Sequence, residues 1–122
     1  MSDLNVQNIN SNTGNSAISI ADDGATIINN LSFSYITNVI ATNANAASNN
    51  VYVFTASLTL TLPASPQVGD WIKVSDRSGT TTSVINRNGN NIMGSATDLT
   101  IDVDNATLEL AYADATNGWV LL

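Results

Sequence analysis

The chain has 122 residues with no Cys and no His, and its 3 basic against 10 acidic residues leave a net charge of −7. That length fits one domain, or one small domain with an extension, and the missing residue types exclude disulfides, thiol nucleophiles, imidazole bases and zinc sites of the usual kind. With 11% charged against 43% hydrophobic residues, the surface must be covered largely by neutral Ser, Thr, Asn and Gln.

From residue 1 to residue 50 the chain is rich in Asn and Ser and contains no Pro, Lys or Arg. Its apolar residues come in short alternating sets: Leu4 and Val6, Ile18 and Ile20, then Leu31, Phe33 and Tyr35. Period two between turn residues predicts short strands. The segment SNTGNS and the pair Asp23-Gly24 supply the turns. Too little apolar mass is present to close a core, so residues 1–50 read as an extended β arm, with ATNANAASNN at 41–50 as the linker out of it.

Residues 51–122 read as an all-β module. In SLTLTLP, Leu58, Leu60 and Leu62 face one way and Thr59 and Thr61 the other, and Pro63 and Pro66 end the strand. In WIKVSD, Ile72 and Val74 lie opposite Trp71 and Lys73, and DRSGTTT turns the chain again. Asn88-Gly89 suits a two-residue type I′ hairpin, which sets Arg87 against Asn90, Ile85 against Ile92 and Val84 against Met93. LTIDV, ATLELAY and WVLL complete the strands, with Leu108, Leu110 and Tyr112 on one face of the second. No segment carries a helical period. Turn signals every 8 to 12 residues or so predict a small antiparallel β-sandwich or barrel.

A compact part of this size gains only roughly 3–5 kcal/mol from its core. Without disulfides or zinc, association with other copies is the remaining staple. The tail Trp119, Val120, Leu121 and Leu122 leaves an apolar run that calls for a partner surface, unless it forms a central strand buried on both faces. Few lysines guard the strand edges, which also points to edges covered by neighbours.

The run VFTASLTLTLPASPQVGDWIKVSD, then INRNGNNIMGSATDLTID, then LELAYADATNGWVLL resembles a β-rich module recurrent in tailed-phage virion proteins, including those of cyanophages. The resemblance spans about Val51 to Leu122 and is carried by the order and spacing of Leu62-Pro63, Gly69-Asp70, Asp76, Arg87-Asn88-Gly89, Leu110-x-Tyr112 and Trp119. It implies a jelly-roll or related fold and a homotrimeric, non-enzymatic structural protein without cofactors. Its implied place is the capsid surface, with assembly in the host cytoplasm. A tail-fibre subunit carries a long shaft, which this chain lacks, so a capsid cement or decoration protein contacting the major capsid protein is favoured; a head-fibre or tail-fibre tip binding a receptor or glycan is the alternative. The expected interface residues are Leu31, Phe33, Tyr35, Trp71, Trp119, Leu121 and Leu122.

Reactive chemistry is weakly represented. Asp98, Asp102 and Asp104 with Asn105 are the densest acidic cluster, but they lack an EF-hand spacing and read as a strand ending in a solvated turn. Asp22, Asp23, Asp70, Asp76 and Asp114 mostly occupy predicted turns and form no identifiable acid/base pair, which argues against glycoside hydrolysis. Trp71, Tyr52, Tyr112 and Trp119 would suit sugar stacking, but aromatics in a β module are more often core or interface. Lys73, Arg77 and Arg87 either pair with nearby Asp or meet an acidic neighbour. Three cations against ten acids disfavour nucleic acid and anionic membranes. No apolar run approaches the roughly 18 residues of a membrane span, and MSDLNVQNIN lacks the basic and apolar regions of a secretion signal.

Overall fold

The computed structural model describes residues 8–10, 16–20, 26–28 and 34–122. The chain divides into two units, Met1–Ser34 and Tyr35–Leu122. In the first, β1 (Asn8–Asn10), β2 (Ser16–Ile20) and β3 (Thr26–Ile28) form an antiparallel sheet in that order, with Ile18 in register with Ile9 on one side and Ile28 on the other. The strand expected at Ile18 and Ile20 is therefore present. Leu4, Val6, most of the SNTGNS turn, Asp22, Asp23, Gly24, Leu31 and Phe33 lie outside the described residues.

The second unit is built from β4 (Ile36–Ile40), β5 (Ala44–Asn45), β6 (Asn50–Phe54), β7 (Thr59–Thr61), β8 (Trp71–Asp76), β9 (Ser83–Asn86), β10 (Leu99–Ile101), β11 (Thr107–Asp114) and β12 (Gly118–Leu121). Among the described residues there is no helix. One sheet has the order β12-β11-β8-β6-β4 and the other β10-β9-β7-β5. β4, β6 and β8 run parallel to one another, as do β5, β7 and β9. Each consecutive pair thus gives one strand to each sheet, and the chain winds as a two-sided coil. β10 then joins β9, and the β11–β12 hairpin joins β8, all antiparallel.

The all-β expectation holds, but the purely antiparallel arrangement is corrected: both sheets are mixed. Period-two alternation reports that one face of a strand is buried; it does not report the direction of the neighbour. Here the return path that parallel strands require is supplied by a strand of the opposite sheet instead of a helix.

The winding stacks like positions in rows. Ala44, Leu60, Ile85 and Leu99 are in register across one sheet, and Ile36, Asn50, Ile72, Leu110 and Leu121 across the other. Leu58, Leu60, Leu62, Ile85 and Ile101 from the smaller sheet side meet Tyr52, Phe54, Ile72, Val74, Leu110 and Trp119 from the larger in one core. Each such side chain, when fully covered, contributes about 1.5–3 kcal/mol.

Three expectations change in this frame. Residues 36–45, expected in the arm, supply the first turn of the coil, and the linker 41–50 contains β5, the buried Ala46 and the buried Asn50. At Asn88 (φ 47°) and Gly89 (φ 88°) the backbone has the positive angles of the expected turn, closed by the Asn90 amide donating to Arg87 O at 3.1 Å. The hairpin partner is nevertheless different: β9 pairs with β10, setting Ile85 against Leu99 and Val84 against Thr100. A second tight bend at Met93 (φ 51°) and Gly94 (φ 76°) takes the chain away from β9, and Ile92 forms only isolated bridges, to Ser95 and Trp119. Finally, β12 is an edge strand, which removes the central-strand alternative for WVLL.

The abundance of Asn has a structural use. At the bends, side-chain amides bond to backbone groups of a neighbouring turn of the coil. Thr59 N donates to Asn43 Oδ1 at 2.8 Å and Trp71 N to Asn49 Oδ1 at 3.2 Å. Asn88 Nδ2 donates to Leu62 O at 3.0 Å, Asn90 Nδ2 to Ala64 O at 3.1 Å and Asn91 Nδ2 to Thr116 O at 2.9 Å. Asn presents both a donor and an acceptor and tolerates positive φ, so it continues the hydrogen-bond ladder where regular strand geometry stops.

Candidate interaction surface

The face of the larger sheet turned away from the core carries three cross-strand rows. One runs from Thr37 through Val51 and Lys73 to Glu109; a second pairs Val39 with Val53 and Ser75; the third pairs Trp71 with Ala111 and Val120. The face is mostly small, apolar and neutral, with one cation and one anion side by side at its centre.

Tyr35 and Trp71, both expected at an interface, come together here. Their rings pack edge to face with centroids 5.6 Å apart. Lys73 Nζ donates to the Tyr35 hydroxyl at 2.8 Å and lies 4.2 Å from the Tyr35 ring centroid and 5.4 Å from that of Trp71. The Lys73 pKa is raised from its ordinary 10.5, chiefly by the Tyr35 hydrogen bond; desolvation opposes this, and the negative charge of Glu109 adds to it. The ammonium lies against two aromatic rings, a positive point beside the negative Glu109 on a face that is otherwise neutral.

The other expected interface residues are scattered. Trp119 is fully buried, with Tyr112 packed on it at 5.6 Å, and so contributes no surface. Tyr52 is buried as well, with its hydroxyl accepting from Ala47 N at 2.7 Å. The four aromatics considered for sugar stacking therefore do not form one platform; Trp71 pairs instead with Tyr35. Leu121 is 39% and Leu122 76% exposed at the β12 edge. Leu121 borders a shallow apolar groove with Leu99, Val103 and Leu108. Val39 and Ile36, exposed on β4, were not singled out by the residue-type reading, because their exposure depends on β4 being a sheet edge.

The carboxylates mostly serve the backbone. Asp70 Oδ2 accepts from Gln67 N at 2.9 Å and Ser48 Oγ at 3.0 Å, Asp76 Oδ1 from Ser78 N at 2.9 Å, and Asp98 Oδ1 from Arg87 N at 2.9 Å. Asp114 accepts from the Asn117 backbone and side chain, which lowers its pKa from the ordinary 3.8. Arg87 directs its guanidinium to the Asn90 carbonyl at 3.2 Å. Among the described residues no group of three or more acidic, Cys or His side chains is placed to hold a metal.

The described surface thus offers a mostly apolar sheet face and the edge strands β4, β5, β10 and β12, with most carboxylates bonded to backbone groups of turns. No protein-family model matches the chain, and no curated protein matches it.

Proposed function

We propose that this chain is a structural protein of a tailed-phage particle, a cement or decoration protein that associates as a homotrimer and binds the major capsid protein on the head surface. The role is non-enzymatic. The single observation that supports it best is the exposed apolar surface of the second unit: Tyr35, Ile36, Val39, Leu121 and Leu122 are large, exposed and grouped at sheet edges, and such groups gain from being covered. The resemblance over Val51 to Leu122 supplies the phage context and the three-fold grouping. Two sheets on one core fit the layered, sandwich-like fold that the resemblance implies. A stable attachment of this kind requires roughly 1,200–2,000 Å² of buried surface and no reactive group.

The Tyr35–Trp71 pair with Lys73 favours a second reading, a fibre tip that binds a glycan, since paired aromatics beside a cation offer a stacking surface for a sugar face. Copy number separates the two. Quantitative mass spectrometry of purified particles should give a number set by the head lattice for a cement protein, and purified chain should bind emptied heads. A handful of copies per particle, with binding to host cells or surface polysaccharide, would replace the first reading by the second.

A further inference from the structure

Both sheets of the second unit end together. β4 and β5 are consecutive in the chain, and they are the outermost strands of the larger and smaller sheet at the same end of the coil. Ile36 stands in the same row as Ile72 and Leu110, which are fully buried, yet Ile36 is 63% exposed. Among the described residues of the second unit, no strand roofs the core at this end. Val39, on the opposite face of the same strand, is 67% exposed. The side of β4 away from β6 has no partner strand among the described residues.

Charge identifies the occupant. The chain carries −7, so two copies repel wherever their acidic parts approach. From Gly24 to Gly69 there is not one Asp, Glu, Lys or Arg, and β4 and β5 lie inside that stretch. The opposite end of the coil is guarded differently: β10 has Asp98 just before it and Asp102 and Asp104 just after it. Charge at a strand edge blocks pairing, and its absence permits it. The far edge of the larger sheet, β12, is uncharged as well, but its counterpart β10 is flanked by carboxylates. Only at the β4–β5 end are the outermost strands of both sheets free of charge, so only there can both sheets of an acidic chain meet a second copy without burying carboxylates.

We propose that β4 pairs antiparallel with β4 of a second copy across a two-fold axis. Centred on Asn38, the register sets Ile36 against Ile40 of the second copy and Thr37 against Val39 of the second copy. Such a self-complementary strand makes an isologous contact. An axis perpendicular to the sheet planes brings β5 towards its own counterpart as well, so both sheets and the core between them continue from one copy into the next. The contact pairs copies two by two and stands whether or not they also group in threes on a phage head.

Sedimentation equilibrium of the full chain tests this in the absence of any capsid. The expected species is built of paired chains: twice the mass of one chain, or about six times that mass where the three-fold grouping also forms in solution. Val39→Lys, at an exposed position, should weaken pairing at least about tenfold while leaving the far-ultraviolet circular dichroism unchanged. Thr37→Lys serves the same purpose should Val39→Lys fail to fold, and Leu122→Lys, at the far edge of the sheet, should leave the pairing intact. A lone chain at all concentrations would overturn the proposal, as it would if the chain's own residues 1–34 covered the edge. A trimer indifferent to both β4 variants would also overturn it while leaving the head-surface role standing. A dimer sensitive to Val39→Lys that fails to bind emptied heads would uphold the contact and sink the proposed function.

Discussion

The amide of Trp119 donates to the carbonyl of Asn91 at 2.8 Å, and Gly118, one residue earlier, runs so close to that carbonyl that a Cβ would overlap it. Gly118 also has φ +67°. This close approach joins the β11–β12 hairpin to the bend after β9 and seats Trp119 in the core. Gly118→Ala combines a left-handed backbone with a backbone collision, neither of which a flexible side chain can relieve. It should destabilise the unit by about 3 kcal/mol or more. Gly89 has φ +88° and open space around it, so Gly89→Ala should cost only about 1 kcal/mol, the conformational strain alone. Urea unfolding of the two variants checks the ordering; equal losses would mean that the collision at Asn91 relaxes freely.

The hydrogen bond from Lys73 to Tyr35 predicts an alkaline signature. Because the folded Lys73 pKa is raised, its contribution to stability is fully present below the unfolded value near 10.5 and is lost as pH rises through the folded value. Tyr35→Phe removes the accepting hydroxyl but keeps the ring. The Lys73 pKa should fall towards its ordinary value, leaving only the Glu109 charge to raise it. An NMR titration of the Lys73 side chain would show the shift, and an unchanged midpoint would mean that the hydroxyl contact does not persist in solution.

Strands buried on one face were legible in the sequence, and the winding was not. Leu58, Leu60 and Leu62 alternate cleanly, as do Ile72 and Val74, and each set turns inward as its period requires. Parallel pairing depends on which distant strand lies alongside, and nothing in a period-two pattern encodes that. The Asn88-Gly89 turn was legible as a backbone conformation because φ preference is local. Its partner was not, because Met93 adopts a positive φ that its residue type does not advertise. At the surface, Tyr35 and Trp71 were identifiable by type, but their contact follows from the β4–β6–β8 register. Trp119 was misplaced for the converse reason: an apolar terminal run looks the same whether its first residue is core or surface.

Asp114 gives the acid counterpart of Lys73. Asn117 donates to it from the backbone at 2.6 Å and from the side chain at 3.0 Å, lowering its pKa from 3.8. A lowered carboxyl pKa contributes stability above the unfolded value and loses it as pH falls through the folded one. Asp114→Asn abolishes that dependence, so the variant should be less stable than the parent at neutral pH and the gap should close below pH 3.8. Urea midpoints measured across the acid range check this. A constant gap would assign the loss to geometry in the β11–β12 turn and not to the carboxylate charge.

Asp76 is the one acidic side chain turned fully into the core among the described residues. It ends β8 on the same face as Ile72 and Val74, in register with the buried Phe54. Its Oδ1 accepts from Ser78 N at 2.9 Å, folding the chain into the turn that leads to β9, and Ser78 Oγ accepts in turn from Thr80 N at 3.2 Å. Oδ2 has no partner. Burying a carboxyl costs free energy unless its oxygens are bonded, and the bond from the Ser78 amide offsets part of that cost. Asp76→Asn keeps an oxygen for Ser78 and should stay within about 1 kcal/mol of the parent, whereas Asp76→Ala strands the amide and opens a void, costing about 2–3 kcal/mol. Chemical unfolding of both variants decides it: if Ala is tolerated as well as Asn, the bond to Ser78 does not hold the β8–β9 bend, and the turn must be set by Gly79 at φ +74° alone.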